Sequence, residues 1–451
     1  MKDRLILGTI LILSLGMLLV LQKYVPIPSP VYILLGVMFS YAVLIQAAQY
    51  HQKRKKRKLL KKRIVDNEKK VYRPFVSILV PAHNEEFVIK DTVKNLLAID
   101  YEHYELIVID DRSTDNTASV LKSLTEEYEN FQCHIRDKDA FPGKSAVLNE
   151  ILPMTKGEVI CIFDADARVK PNFLKKIIPY LADPDVGAIQ ARKIISNKDF
   201  NLLTRCQDNE YVLDTHFQLG RDCIKGAVEL RGNGQLIKKA ALEDIGGWNN
   251  FTLTDDLDIS TRLHLKGWDI RMCPAVHVCE EGITSLMPLF RQRRRWVEGS
   301  IRRYMDYFLD LLFSREISLR VNLDMWAYII EFILPVWLVS EYFIQCFKFI
   351  KGHENNILIT LSIIPALFAF FISGLVYSLR KYKRLSFWVA LKQAVETGVY
   401  MMVVWVPVVT YIIFKIIFSK RTMDWGKTAH GHSVQEEEEQ EVKEEEFVQA
   451  S

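Results

Sequence analysis

The sequence predicts an α/β domain, built on a doubly wound parallel sheet and flanked by α-helical segments of membrane-crossing length. Three observations carry this. Apolar runs gather at both ends of the 451 residues. Between them, short β-rich runs alternate with stretches of helical spacing. The strand-like runs then end in carboxylates and turn formers, where ordinary surface would show scattered charge. Hydrophobic residues make up 49% of the chain, an average that hides this partition.

Along the chain, residues 5–21 and 31–48 are apolar runs, each close to the ~20 residues that cross a ~30 Å hydrocarbon layer. Lys2 and Arg4 ahead of the first run also fit a cleaved signal peptide. No small-x-small site follows and a second run comes at once, so residues 1–50 read as a transmembrane hairpin turning outside near 26–30. The basic run at 51–63 opens a linker over 51–73. Beside a span it reads as a cytoplasmic anchor, in preference to a nucleic-acid arm. The net charge of +4 is too small for a global polyanion partner. Seven cysteines without a C-x-x-C pair exclude zinc and thioredoxin-like chemistry and read as reduced, mostly buried thiols.

Residues 74–285 form the α/β block. Strands are expected at 75–80, 105–109, 158–163 and 186–190, and helices at 85–99, 115–129 and 144–152. An amphipathic stretch at 286–320 leads to membrane segments over 321–420, with apolar runs at 323–347, 357–379 and 399–418. Positive charge at 380–384 and at 419–421 both reads as cytoplasmic, which three spans cannot satisfy. Either one run is interfacial or re-entrant, with 385–396 as a candidate interfacial helix, or the charge rule fails once. Glu331 and Glu341 fall within an apolar run, where charge usually faces a polar cavity or a partner. Glu341 is expected near the outer interface, leaving Glu331 as the pore-lining candidate. The tail at 421–451 is acidic and lacks a core-forming pattern.

In doubly wound sheets ligands bind beyond the carboxyl ends of the strands. There stand P-A-H-N-E-E at 81–86, D-D-R-S-T-D at 110–115 and D-A-D at 164–166. Asp164 and Asp166 would point to one side if strand geometry persists. Two hard oxygen ligands suit Mg2+ or Mn2+, which would neutralise a departing diphosphate. Lys144 invites a P-loop reading, but Lys138 stands where its first glycine belongs, so Lys144 reads as a ligand of donor phosphate. Ile237 likewise breaks a dinucleotide fingerprint at 232–237. T-D-D at 254–256 opens a helix, where acids and Thr also serve as caps. Asp256 is the choice for a base that takes a proton from an attacking sugar hydroxyl. In Q-R-R-R-W at 292–296, Arg forks onto diphosphate and Trp stacks on a sugar ring, against the plainer reading of a helix touching anionic lipid.

In this order the motifs P-A-H-N-E, D-D-x-S-T-D, G-K-x-x-x-L-N, D-A-D, T-D-D and Q-R-R-R-W resemble the processive family-2 glycosyltransferases. That group holds the cellulose, chitin, hyaluronan and poly-N-acetylglucosamine synthases, and the chain looks most like the bacterial poly-β-1,6-N-acetylglucosamine synthases. The resemblance covers residues 1–430, including W-G-K-T-A-H at 425–430, and excludes the tail. It implies a GT-A, Rossmann-like fold. Pro81, Glu85, Asp110 and Asp111 would hold uridine, Lys144 the nucleotide or diphosphate, and Asp164 the donor. Asp166 would bind Mg2+ or Mn2+, and Asp256 would be the base of an inverting attack. Gln292, Arg295 and Trp296 would bind diphosphate and the acceptor end, with Asn233 and Gly234 lining the acceptor site. Asp255 departs from the glutamate common in relatives, and His83 from a tyrosine; Asp256 is retained.

The expected function is transfer of a sugar, N-acetylglucosamine by resemblance, from a UDP-sugar to a growing β-linked polysaccharide that crosses the membrane. Expected partners are the bilayer, the glycan acceptor and a small accessory membrane or export protein, and no nucleic acid. The expected place is the cell membrane, multi-pass, with the catalytic domain cytoplasmic. The alternative is transfer of one sugar to a lipid acceptor. A non-catalytic nucleotide-sugar sensor would suit missing carboxylates, and here they are present.

Overall fold

The computed structural model describes residues 2–24, 31–63, 72–128, 130–328, 330–353 and 357–419. The expected outward turn at 26–30, the T-A-H segment and the acidic tail lie outside the described residues, as does the side chain of Glu331. The chain divides into two compact units. One comprises Met1–Lys69, Val212–Val228 and Arg293–Thr422; the other comprises Lys70–Tyr211 and Glu229–Gln292.

The second unit holds an eight-stranded sheet in the order β3-β2-β1-β4-β7-β6-β8-β5. The strands are β1 Val76–Ala82, β2 Tyr104–Asp110, β3 Phe131–Ile135, β4 Val159–Ile162, β5 Arg168–Val169, β6 Val186–Ile195, β7 Gln235–Lys238 and β8 Asp269–Glu280. The expected parallel sheet holds from β3 through β4. Beyond β4 the expectation is corrected. β7 enters antiparallel between β4 and β6, and β6 pairs parallel with β8, so the sheet is mixed. The central strands are apolar on both faces because helices cover both sides. Ile78, Val80, Leu106, Val108, Val159 and Cys161 all lie in one core cluster. Ile89–Leu97 shows how a helix docks: Ile89, Thr92, Val93 and Leu96 repeat at helical spacing and are its buried residues.

In β1 and β2 the register sets Val80 beside Val108 and Ala82 beside Asp110, so both chains leave the sheet at one level. That shared level is what gathers P-A-H-N-E and D-D-R-S-T-D into one place.

The first unit is helical. Among the described residues four helices are long and apolar enough to cross a membrane: Asp3–Tyr24, Val31–Gln52, Leu361–Tyr382 and Phe387–Phe418. The run at 323–347 divides between Leu319–Tyr328 and Ile330–Ile350 and is not among the four. The 385–396 segment is no separate interfacial helix; it opens the continuous 32-residue helix Phe387–Phe418. Glu341 is fully buried. Its carboxylate accepts from Gln345 Nε2 at 3.0 Å and from Gln22 Nε2, which satisfies a charge that hydrocarbon would not.

A second polar contact set in this unit ties three helices. Arg302 donates to Glu298 Oε1 at 2.8 and 3.0 Å and to Asp3 Oδ2 at 2.9 Å, and Lys415 Nζ donates to Glu298 Oε2 at 2.7 Å.

Candidate active site

The loops after β1 and β2 are stitched side by side. Asn84 N–H donates to Ser113 Oγ at 2.8 Å, and Thr114 N–H returns a bond to Asn84 Oδ1 at 2.7 Å. Glu85 N–H donates to Thr117 Oγ1 at 2.8 Å. Asn84 and Arg112 sit at φ 56° and 60°, the left-handed region that a side chain adopts at some cost. Pro81 lies within β1 beside Ile109. Asp110 is buried; its Oδ2 accepts from Ser113 N–H at 3.2 Å, while its Oδ1 is buried with no partner. A buried carboxylate oxygen left open marks a place for a donor from a ligand or water.

Asp111 is used internally. Its Oδ1 accepts from Arg136 Nη1 at 2.6 Å and Arg112 Nε at 2.9 Å, and its Oδ2 from Gly143 N–H at 3.0 Å. Burial alone would push this carboxyl up. The hydrogen bonds from Arg112 and Gly143, with the Arg112 and Arg136 charges, outweigh burial and hold it below the usual range. Asp111 thereby fixes Gly143, whose next residue is Lys144.

The helix Lys144–Ile151 starts at that glycine. Lys144 Nζ donates to Asp164 Oδ1 at 2.6 Å and to the Gly232 carbonyl at 3.3 Å. Burial pulls the ammonium down, but the charges of Asp164, Asp255 and Asp256 overcome it and keep Lys144 protonated well above its ordinary value. Gly232 and Gly234 adopt φ +79° and +68° around Asn233. A Cβ on Gly232 would stand 3.4 Å from Asp256 Oδ2 and 4.0 Å from Lys144 Nζ, so this backbone lies against both groups.

The D-A-D geometry differs from the expectation. β4 ends at Ile162, and residues 164–167 form a turn closed by Ala167 N–H on the Asp164 carbonyl at 3.1 Å. The alternation of a strand therefore does not carry the two carboxylates; the turn does. Asp164 N–H donates to Asn233 Oδ1 at 3.2 Å, and Asp166 Oδ2 accepts from Glu281 N–H at 2.8 Å. Among the described residues no three His, Cys, Asp or Glu side chains are grouped to hold an ion by themselves. Two carboxylates on one turn fit Mg2+ or Mn2+ that fills its remaining positions with phosphate oxygens and water, as such ions commonly do.

The helix Asp255–Leu265 carries the third acidic group. Asp258 is structural: Arg262 grips it at 2.6 Å. Thr254 occupies the N-cap position but makes no side-chain cap bond, and its Oγ1 is buried without a partner. Asp255 Oδ2 is also buried and unpartnered. Asp256 accepts from Leu257 N–H at 2.9 Å. Burial, then the Asp255 charge, raise Asp256 to about 6 against the pull of Leu257 N–H, Arg231 and Lys144. A carboxylate poised near neutrality suits proton acceptance.

Lys144, Asp164, Asn233, Gly232 and Asp256 thus meet, with Asp255 within charge range of Lys144 and Asp256. Asp111 joins this region through Gly143, and Asp110 precedes it in the chain. Gln292 belongs to the sheet unit, whereas Arg295 and Trp296 belong to the helical unit. There the Arg293 guanidinium lies 4.1 Å from the Trp296 ring centre and 5.5 Å from that of Trp405. One face of Trp296 therefore packs on a cation within its own unit.

Several functional neighbours were not foreseen. Lys193, Glu280 and Arg136 are cross-strand partners visible only once register is known. Phe141 and Phe251, both exposed, pair edge to face at 5.8 Å on the loops leading to Lys144 and Asp255.

Residues 73–299, about half the chain, match the family described as glycosyltransferase like family 2. The chain belongs to this family. It is a glycosyltransferase with a GT-A fold. A beta-monoglucosyldiacylglycerol synthase of Nostoc sp. is 38% identical over 365 residues, 79% of this chain and 76% of that protein. A poly-beta-1,6-N-acetyl-D-glucosamine synthase of Staphylococcus aureus is 28% identical over 263 residues, 56% of this chain and 63% of that one. The expected likeness to polysaccharide synthases is thus present but weaker and shorter than the likeness to a glucolipid synthase. A mannosyltransferase of Pyrobaculum calidifontis, solved with GDP-Man and Mn2+, shares the fold at TM-score 0.54 and 19% identity, over 80% of this chain and 98% of that one.

Proposed function

We propose that this transferase moves one hexose, glucose by kinship, from a UDP-sugar to the free hydroxyl of a membrane diacylglycerol, with inversion at the anomeric carbon. The observation that carries this reading is the 365-residue similarity to a beta-monoglucosyldiacylglycerol synthase, longer than residues 73–299 can hold and so reaching into the helical unit. Four helices of membrane-crossing length and the exposed Phe141–Phe251 pair suit an acceptor drawn from lipid. The basic run after the second of these helices favours a multi-pass protein of the cell membrane with the sheet unit cytoplasmic.

In this reading Asp110, with its open Oδ1, holds the uridine together with Pro81 and Glu85. Asp111 positions the loop that delivers Lys144. Lys144 exchanges Asp164 for the donor diphosphate, and Asp164 and Asp166 hold Mg2+ or Mn2+. A bound ion supplies neutralisation of the diphosphate charge. Asp256 takes the proton of the acceptor hydroxyl as its oxygen bonds to the anomeric carbon. The bond from that carbon to the β-phosphate oxygen breaks, and UDP leaves with the electron pair. Asn233, Gly234 and Asp255 border the acceptor in the sheet unit, and Gln292, Arg295 and Trp296 keep the acceptor and diphosphate roles that the Q-R-R-R-W motif suggests.

A second reading, repeated addition of N-acetylglucosamine to a polysaccharide, is favoured by Q-R-R-R-W and by the Staphylococcus aureus relative. One experiment separates them. Vesicles holding the full chain are given diacylglycerol and either UDP-glucose or UDP-N-acetylglucosamine, and UDP release and product size are read together. A single glycolipid made from UDP-glucose supports the first reading. Long polymer, formed without added diacylglycerol, overturns it.

A further inference from the structure

Beyond the motif residues, the end of β8 grips the D-A-D turn at two places. Asp166 Oδ2 accepts from Glu281 N–H at 2.8 Å. Glu280, one residue earlier, acts through Asn233: its Oε2 accepts from Asn233 Nδ2 at 3.2 Å, and Asn233 Oδ1 accepts from Asp164 N–H at 3.2 Å. The same Oε2 accepts from Lys193 Nζ at 2.9 Å, and Oε1 from the Tyr211 hydroxyl at 2.5 Å. Lys193 lies on β6 and Glu280 on β8, at diagonal positions of a parallel ladder that pairs Ile195 with Glu280. Both side chains are only 12% exposed, so the pair is not placed to bind substrate broadly.

Chemistry gives this arrangement a direction. An amide can present oxygen or nitrogen to either side. A carboxylate accepts only, so Glu280 demands the Asn233 nitrogen. The oxygen is then left facing Asp164 N–H. Reversing the amide would set oxygen against carboxylate and N–H against N–H, leaving buried groups unsatisfied.

We infer that Glu280 is a positioning residue of the donor site, which, braced by Lys193 and Tyr211, fixes the Asn233 amide and through it the turn bearing Asp164 and Asp166. This rests on the reading that the turn holds the donor diphosphate.

The test exchanges donor and acceptor across the Asn233–Glu280 contact in the full-length protein, with UDP affinity in Mn2+ measured by titration and folding by thermal midpoint. Asn233→Asp opposes two carboxylates and is expected to weaken UDP binding about tenfold, the effect of one unsatisfied buried contact. Adding Glu280→Gln gives the new carboxylate at position 233 an N–H to accept, while its other oxygen keeps Asp164 N–H. The same nitrogen then faces Lys193 Nζ, which loses that acceptor, so the double variant is expected to recover part of the lost affinity and of the donor KM, with kcat moving less. A double variant no better than the product of the two single effects overturns the inference. Asp164→Ala is the control. If it too leaves UDP affinity at the wild-type value, the donor reading fails and takes the inference with it. If it abolishes binding while Asn233→Asp changes nothing, only the positioning role falls.

Discussion

In the helical unit Asp3, Glu298, Arg302 and Lys415 form a closed set, two acids facing two cations, with Arg302 only 3% exposed. At the carboxyl edge of the sheet, Lys144, Lys193 and Arg231 face Asp164, Asp255, Asp256 and Glu280, so acids outnumber cations by one. Oxygens of Asp110, Asp255 and Thr254 are also left buried without partners there. Both regions bury charge, and burial of charge costs free energy wherever it occurs. The closed set recovers that cost internally and leaves nothing to bind. The open set carries unmet hydrogen-bonding capacity and excess negative charge, which a cation and the donors of a nucleotide sugar would satisfy. The contrast separates charge that holds helices together from charge with unmet partners, which the proposed function assigns to chemistry.

The sharpest break in the comparison should come at the open end. Asp256→Asn keeps the shape but cannot accept a proton, so transfer should fall by ~10²–10⁴, the usual worth of a positioned base. UDP-sugar affinity should stay near wild type, measured by binding on the same preparation. Retained transfer would remove Asp256 from the mechanism. At the closed end the expected effect is next in size and of a different kind. Arg302→Met takes one of two cations from Glu298 and a donor from Asp3 and should cost ~3–5 kcal/mol of stability, the effect of breaking a buried pair from one side. Thermal midpoint and yield report it, while activity per folded molecule should change little. A catalytic defect without a stability defect would merge the two regions that are distinguished here.

How far the sequence revealed each region follows from the kind of signal. β1, β2, β4 and β6 were legible because they are continuous apolar runs between helices. β3 and β7 were not, since Phe131–Ile135 and Gln235–Lys238 are short and mix polar with apolar residues. β8 was hidden by Pro274 and by the register shift it makes against β6 between Ala191 and Arg192. The antiparallel pairings went unforeseen because β7, β8 and the two-residue β5 were missed, whereas β3 pairs parallel. Asp110 and Asp164 were readable as local strings after strands, and Lys144 and Asp256 as the G-K and T-D-D strings. Lys193 and Glu280 were not, because their meeting depends on cross-strand register, which no local string encodes. The acceptor was obscured for a related reason: the motifs describe the donor half of the reaction, which polymer and glycolipid synthases share.

The smaller predictions concern how the open set tunes its base. As the proposed base, Asp256 would have to be ionised to act, and burial with the Asp255 charge raises it to about 6. The rate at low substrate should therefore fall about tenfold per pH unit below that value and level off above it. Removing the Asp255 charge should move this limb in a known direction. Asp255→Asn deletes a group that disfavours the Asp256 carboxylate, while Arg231, Lys144 and Leu257 N–H, which favour it, remain. The Asp256 carboxyl should then titrate lower, and the acid limb should shift to lower pH, with burial, the larger cause, unchanged. The measurement is a pH profile of kcat/KM for both proteins at fixed metal and salt. A shift to higher pH would mean that Asp255 supports the ionised base, and the excess of acid at this edge would then need another cause than the binding of a cation and a diphosphate.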